Sequence, residues 1–125
     1  MSKFTEFLRL IPKSIPNADK IIEGWINDAK LNNGNLSEED TETILIRRSI
    51  CSQCPLNSFN CKTDDSEYQK LFGEPFKTDR IDEHCSVCSC PIQKKTASLH
   101  DNCGLFEYNV THKNNPQELK WTAKQ

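Results

Sequence analysis

His84-Cys85-Ser86-Val87-Cys88-Ser89-Cys90-Pro91 places three of the chain's seven cysteines within six residues, and a second knot, Cys51-Ser52-Gln53-Cys54-Pro55, lies upstream of it. Written out, the pairs are C-x2-C-x30-C-x2-C. A C-x2-C turn presents two sulfurs to one side of an ion, and two such turns make the closed four-ligand site of a structural zinc. The spacer is longer than the ~15–20 residues of the tightest zinc pattern, so the residues between the knots must form an excursion. Cys51, Cys54, Cys85 and Cys88 are therefore the expected metal ligands. Four thiolates suit Zn2+ first and iron second. Cys61, Cys90 and Cys103, with His84 beside Cys85, would supply three thiols and an imidazole for a second site. The alternative for Cys61 or Cys103 is a small buried hydrophobe.

The bulk composition agrees with a metal-built module. Only 35% of the 125 residues are hydrophobic, against a usual ~45–50% on a count that includes Gly. A short polar chain has little apolar surface to bury, and a bound metal is one remedy. The N-terminus lacks a charged-then-apolar leader with a small-residue cleavage site, which predicts a cytosolic product with reduced thiols. No apolar run is long enough for a membrane span.

Other chemistries fit the cysteines less well. An iron–sulfur protein would show C-x2-C-x2-C followed by C-P, where this chain has C-x2-C-x-C. A thioredoxin-like motif needs a βαβ setting, and a zinc deaminase needs H-x-E followed by P-C-x-x-C. No catalytic residue is assigned, and the expectation is a protein that is not an enzyme. The net charge of −2, with only the doublets Arg47/Arg48 and Lys94/Lys95 basic, disfavours nucleic acid as a partner.

Around the knots the chain reads as follows. Phe4, Phe7, Leu8 and Ile11 form one stripe of a short helix, which Pro12 and Pro16 separate from the rest, so residues 1–16 form a possible docking arm. Asn17 caps a helix to about Leu31 with Ile21, Ile22, Trp25, Ile26 and Ala29 on its apolar side. Gly34 turns the chain, and Ser37 caps a third helix with Ile44 and Leu45 inward and Arg47 and Arg48 at its C-terminal end. Residues 17–50 are thus expected to be a helical hairpin. A short helix is expected over Ser66 to Phe72, a polar strand or loop over Phe76 to Glu83, and a strand over Leu105 to Thr111. The zinc-binding module spans 51–111, and 112–125 is a polar tail with Trp121 as its large apolar anchor. The fold class expected is small α+β: a helical hairpin followed by a zinc-ribbon-like, metal-stabilised module.

The run Arg47-Arg48-Ser49-Ile50-Cys51-Ser52-Gln53-Cys54-Pro55-Leu56-Asn57-Ser58, with Cys85-Ser86-Val87-Cys88-Ser89-Cys90-Pro91-Ile92-Gln93-Lys94-Lys95-Thr96 and then Cys103, resembles small cysteine-rich proteins of tailed bacteriophages. The likeness spans about residues 20–105 and is greatest to proteins of crAss-like phages. Ser89 stands where those proteins usually carry Gly, Gly104 where they usually carry Pro, and the segment before Lys120-Trp121 is longer. The resemblance implies a zinc-stabilised structural or adaptor protein of the virion, at the neck or tail and assembled in the host cytoplasm. Its partners would be other phage structural proteins, in multiple copies of a symmetric assembly, with Phe4, Phe7, Leu8 and Ile11 as docking residues. The alternative is a small zinc protein that binds nucleic acid or regulates during infection. A redox or iron–sulfur protein is the third reading.

Overall fold

A computed structural model describes residues 18–124. The N-terminal helix, its proline linker, the Asn17 cap and the docking residues Phe4, Phe7, Leu8 and Ile11 lie outside the described residues. Six helices follow in order: α1 (Ala18–Asn32), α2 (Glu38–Gln53), α3 (Ser58–Cys61), α4 (Ser66–Phe72), α5 (Ile92–Ala97) and α6 (Leu105–Thr111).

The expected α+β zinc-ribbon module is not what forms. Among the described residues 51% are helical and 4% are in strands or bridges, with no sheet. The only extended pairings among the described residues are the isolated bridges Asn57–Cys85 and His84–Pro91, which close the base of the second cysteine knot. The segment 105–111, read as a strand, is helix α6. Its strand-forming side chains yield to packing, because Leu105 and Tyr108, one helical turn apart, are the two that bury while Phe106 and Val110 stay exposed. Residues 76–83 are irregular.

Local signals explain the helix ends. Ser37 caps α2, its hydroxyl accepting from the N–H of Asp40 at 3.2 Å, with Glu38, Glu39 and Asp40 in the first turn where the dipole favours anions. Gly34 and Gly73 take positive φ, at the turn after α1 and at the end of α4, a conformation that glycine adopts without strain. Two features of α2 differ from expectation. It runs on through Cys51 to Gln53, so Arg47 lies mid-helix rather than in the last turn. Leu45 points outward, 53% exposed, while Ile44 is fully buried.

The two long helices meet chiefly through α5, which packs on both. On α1 the buried positions are Gly24, Asn27 and Asp28, while Ile21, Ile22, Trp25 and Ile26 are only half-buried and Ala29 is exposed. Gly24 is what lets α5 approach, since a β-carbon there would collide with the Lys94 carbonyl. Asn27 donates to the Ala97 carbonyl at 2.9 Å. Asp28, buried, pairs with both Arg48 of α2 and Lys94 of α5. Thus polar groups, rather than the apolar stripe, fasten α1.

Two small cores result. Ile44, Ala97 and Leu99 form one beside α5. Leu56, Cys103, Leu105, Tyr108 and Trp121 form the other, with Cys51 and Cys54 packed against it. The segment beyond α6 belongs to this second core. Trp121 is 8% exposed. The chain after it is stitched down by Ala123 N–H to Asn102, by Lys124 N–H to the Leu99 carbonyl at 2.7 Å, and by Lys124 to Asp40.

Candidate metal centre

The first knot forms because α2 ends in it. Cys51 is in the last turn, and Cys54 is the C-cap residue, its N–H donating to the Cys51 carbonyl. The second knot is a reversal held at its base by Cys85 N–H to Cys90 O at 3.0 Å and at its tip by Ser89 N–H to Cys85 O at 2.8 Å. Ser89 completes the reversal at φ 65°, the one non-glycine residue with positive φ among the described residues. Asn57 ties the knots together. Its side-chain amide donates to the Cys51 carbonyl and to Glu83, and the Ser86 N–H donates to Leu56 O.

Cys51, Cys54, Cys85 and Cys103 line one cavity of about 30 Å³, together with Leu56, Val87, Leu105 and Trp121. Cys88 adjoins it. A β-carbon on Gly104 would stand 2.8 Å from the Cys85 sulfur and 2.9 Å from that of Cys88, so glycine at this position leaves the space the two sulfurs occupy. Cys103, which the sequence places among the optional ligands, therefore shares a cavity with three of the four expected ones, Cys88 lying beside it. All seven cysteines are free thiols.

The remaining residues of the sequence reading sit elsewhere. Cys61 is buried with its thiol on the Pro55 carbonyl at 3.2 Å and near Ser86. Cys90 lines a separate groove beside Trp25 and Lys94. His84 is buried, its Nδ1 spent on the Asp82 carbonyl at 3.0 Å, and it does not line the cysteine cavity. Among the described residues no three or more Cys, His, Asp or Glu side chains stand in the tight arrangement of a bound ion.

No known family, curated protein or solved structure matches this chain.

The electrostatics around the sulfurs are uneven. Burial pushes the Cys51 thiol up to about 11, opposed by the hydrogen bond from Trp121. Burial likewise raises Cys54 and Cys61. Cys88 goes the other way. Hydrogen bonds from Cys85 and Cys90 draw it well below its ordinary value, and the Lys95 ammonium adds to this, while Cys85 and Cys90 rise as the donors. Burial opposes the charge on Lys95, but Cys88, Asp101 and Glu107 together more than restore it. Lys95 reaches Asp101 at 2.7 Å and Glu107 at 3.3 Å.

Donors also aim at the sulfurs from the chain's C-terminal stretch. The Trp121 indole N–H donates to Cys51 Sγ at 3.3 Å, and the backbone N–H of Lys120 donates to Cys103 Sγ at 3.3 Å. The sequence gives no hint of these, because the donors are a backbone amide and a side chain read there as a lone anchor. Such donors stabilise sulfur most when it is anionic. By donor chemistry the residues suit a soft, thiolate-seeking ion. The space is an order of magnitude below the ~300–1,000 Å³ of small-molecule sites.

Proposed function

We propose that the chain is a non-enzymatic structural protein whose second core is completed by a zinc ion, and that it serves as an adaptor in a tailed phage particle. The observation that carries the metal part is the convergence of sulfurs from three separate segments, 51–54, 85–88 and 103, on one small cavity. Four thiols lining an apolar cavity, with a fifth beside it and N–H donors aimed at two of the sulfurs, form a setting in which thiolates would be held. A four-thiolate zinc would use them, and its binding energy would be folding energy. Cys51, Cys54, Cys85 and Cys88 are the ligands of this reading, with Cys103 the thiol best placed to replace one of them.

The adaptor part rests on the resemblance to phage proteins and on an outward apolar face. Leu36, Leu45 and Ile46 line a shallow groove along α2 rimmed by Glu38 and Glu42, and Leu45 and Ile46 are each 53% exposed. Apolar side chains gathered in this way mark a surface for another protein.

Elemental analysis of the purified chain tests the metal reading. About one zinc per chain is expected, lost in Cys85→Ser and kept in Cys61→Ser, because Cys61 sits outside the cavity. Zinc absent from the wild type sinks the reading. Mass spectrometry of purified particles tests the adaptor reading, which predicts the chain at a fixed copy number in virions. A chain found only in infected-cell lysate points instead to the regulatory alternative.

A further inference from the structure

Arg47 is 3% exposed, and both terminal nitrogens of its guanidinium donate hydrogen bonds. It donates to the carbonyls of Ser98 at 3.0 Å, Leu99 at 2.9 Å and Thr122 at 2.8 Å, with a longer contact to Thr96. None of these acceptors is charged. Arg48 has Asp28 and Arg80 has Asp82, but among the described residues no carboxylate lies within ion-pair distance of Arg47. Carbonyl dipoles satisfy its donors without cancelling its charge, and a buried charge left so is costly.

Asp101 and Glu23 act on Arg47 from beyond ion-pair distance, and Cys51 of the cysteine cavity adds to them; of the three, only Cys51 is joined to the guanidinium by a chain of direct contacts. The guanidinium carbon lies 4.3 Å from the centroid of the Trp121 ring, and the edge of that same ring carries the N–H that donates to Cys51. A cation over an indole face is attracted by its π-electrons. The same cation withdraws electron density from the ring and makes the N–H a better donor, as chained polar contacts strengthen one another in a low dielectric. Arg47, the indole and the sulfur thus form one line from a buried positive charge to a thiol.

We infer that Arg47 is the counter-cation of an anionic thiolate–metal centre, acting through Trp121 on Cys51. Four thiolates on a divalent ion carry two negative charges in excess, and Arg47 answers part of that excess from outside the ligand shell. This makes Arg47 and Trp121 positioning residues, of the outer-shell kind that tunes a metal's affinity and electronics. It also favours an all-thiolate ligand set over one with His84, whose imidazole would lower the negative charge at the centre. The inference rests on the metal reading above.

Cobalt(II) replaces zinc in the full chain for the test, since its sulfur-to-metal charge-transfer band reports the electron density on the sulfurs. The variants are Trp121→Phe, which keeps a face for Arg47 and removes the N–H, with Arg47→Gln and Arg47→Lys. Without the donor or the cation the sulfur lone pairs rise in energy, so the band moves to longer wavelength in Trp121→Phe and Arg47→Gln. Zinc affinity, by chelator competition, falls about 10- to 100-fold in both. Arg47→Lys keeps the charge and holds the band near its wild-type position. If Arg47→Gln does not fold, the Trp121→Phe band and its distance from Arg47→Lys decide. Affinity that falls while the band stays fixed overturns the inference and leaves Arg47 a purely structural residue. A wild-type chain that takes up neither zinc nor cobalt overturns the metal reading and this inference with it.

Discussion

The indole N–H of Trp121 points at the sulfur of Cys51 from 3.3 Å away, so the last stretch of the described chain closes on the first cysteine knot. Trp121 is also buried against Leu56, Cys103, Leu105 and Tyr108. Replacing it with Ala removes a large core side chain and exposes the flank of Arg47, which predicts a loss of about 3–5 kcal/mol by urea denaturation. A chain ending at residue 118 should lose at least as much. A variant within 1 kcal/mol of wild type would mean that the segment after α6 is the loose tail its composition suggests.

Ser89 holds φ 65° at the tip of the second knot, and no hydrogen bond of its hydroxyl accompanies the strain. A left-handed conformation costs a non-glycine residue about 1–2 kcal/mol. Ser89→Gly is expected to stabilise the protein by about 1 kcal/mol, since part of that gain is spent on the greater freedom of Gly in the unfolded chain. A lowered unfolding midpoint would show that the serine side chain contributes something its contacts do not reveal.

Gly104 and Gly24 carry opposite predictions about metal. Gly104→Ala pushes a methyl to within 2.9 Å of the sulfurs of both Cys85 and Cys88, and should lower zinc stoichiometry as well as stability. Gly24→Ala wedges α1 away from the Lys94 carbonyl, with no sulfur among the atoms its methyl would meet first. It should cost about 1–3 kcal/mol of overpacking with zinc content unchanged. Equal zinc loss in the two variants would contradict the separation of the cores.

Asp82 supplies a pH signature. Its paired hydrogen bond with Arg80 holds the carboxyl at about 2, against an ordinary 3.8. Because the folded value is the lower one, the contribution to stability is complete above pH 3.8 and is lost as pH falls toward 2. The pair is exposed, so water screens it and the effect on unfolding is small. The direct measurement is the carboxyl titration by NMR, where Arg80→Gln should return Asp82 to the ordinary range. Arg80 also donates to the Ser89 carbonyl at 2.6 Å, so the same variant should loosen the tip of the second knot. An unchanged Asp82 midpoint in the variant would rule the pairing out.

Punctuation was legible in the sequence, and long-range packing was not. The Ser37 cap, the Gly34 turn and the short helix over Ser66 to Phe72 are set by residues within a few positions of each other, and the structure carries all three. The helix over 105–111 hid behind its β-formers, although Leu105 and Tyr108 at i and i+3 held the helical period. By local pattern Arg47 belongs at the C-terminal end of its helix, where a cation suits the dipole. Its partners are backbone carbonyls of Thr96, Ser98, Leu99 and Thr122, and a carbonyl far along the chain leaves no mark in composition or spacing. Cys103 shares this difficulty. Its position beside the paired knots comes from the chain's path after α5, which no local motif encodes.

The wedging of α5 between the long helices bears on how fast this protein forms. Asn27 meets Ala97 at a separation of 70 residues, Lys20 meets Ser98 at 78, and Asp40 meets Lys124 at 84. Helical proteins usually fold in microseconds to milliseconds because their contacts are local. Here the helices can appear early, but the loops that join them must close before any of those contacts is gained, and that entropy is spent in advance. On the clock of the search the chain belongs with sheet proteins, in roughly milliseconds to seconds, while its circular dichroism spectrum would class it with the bundles.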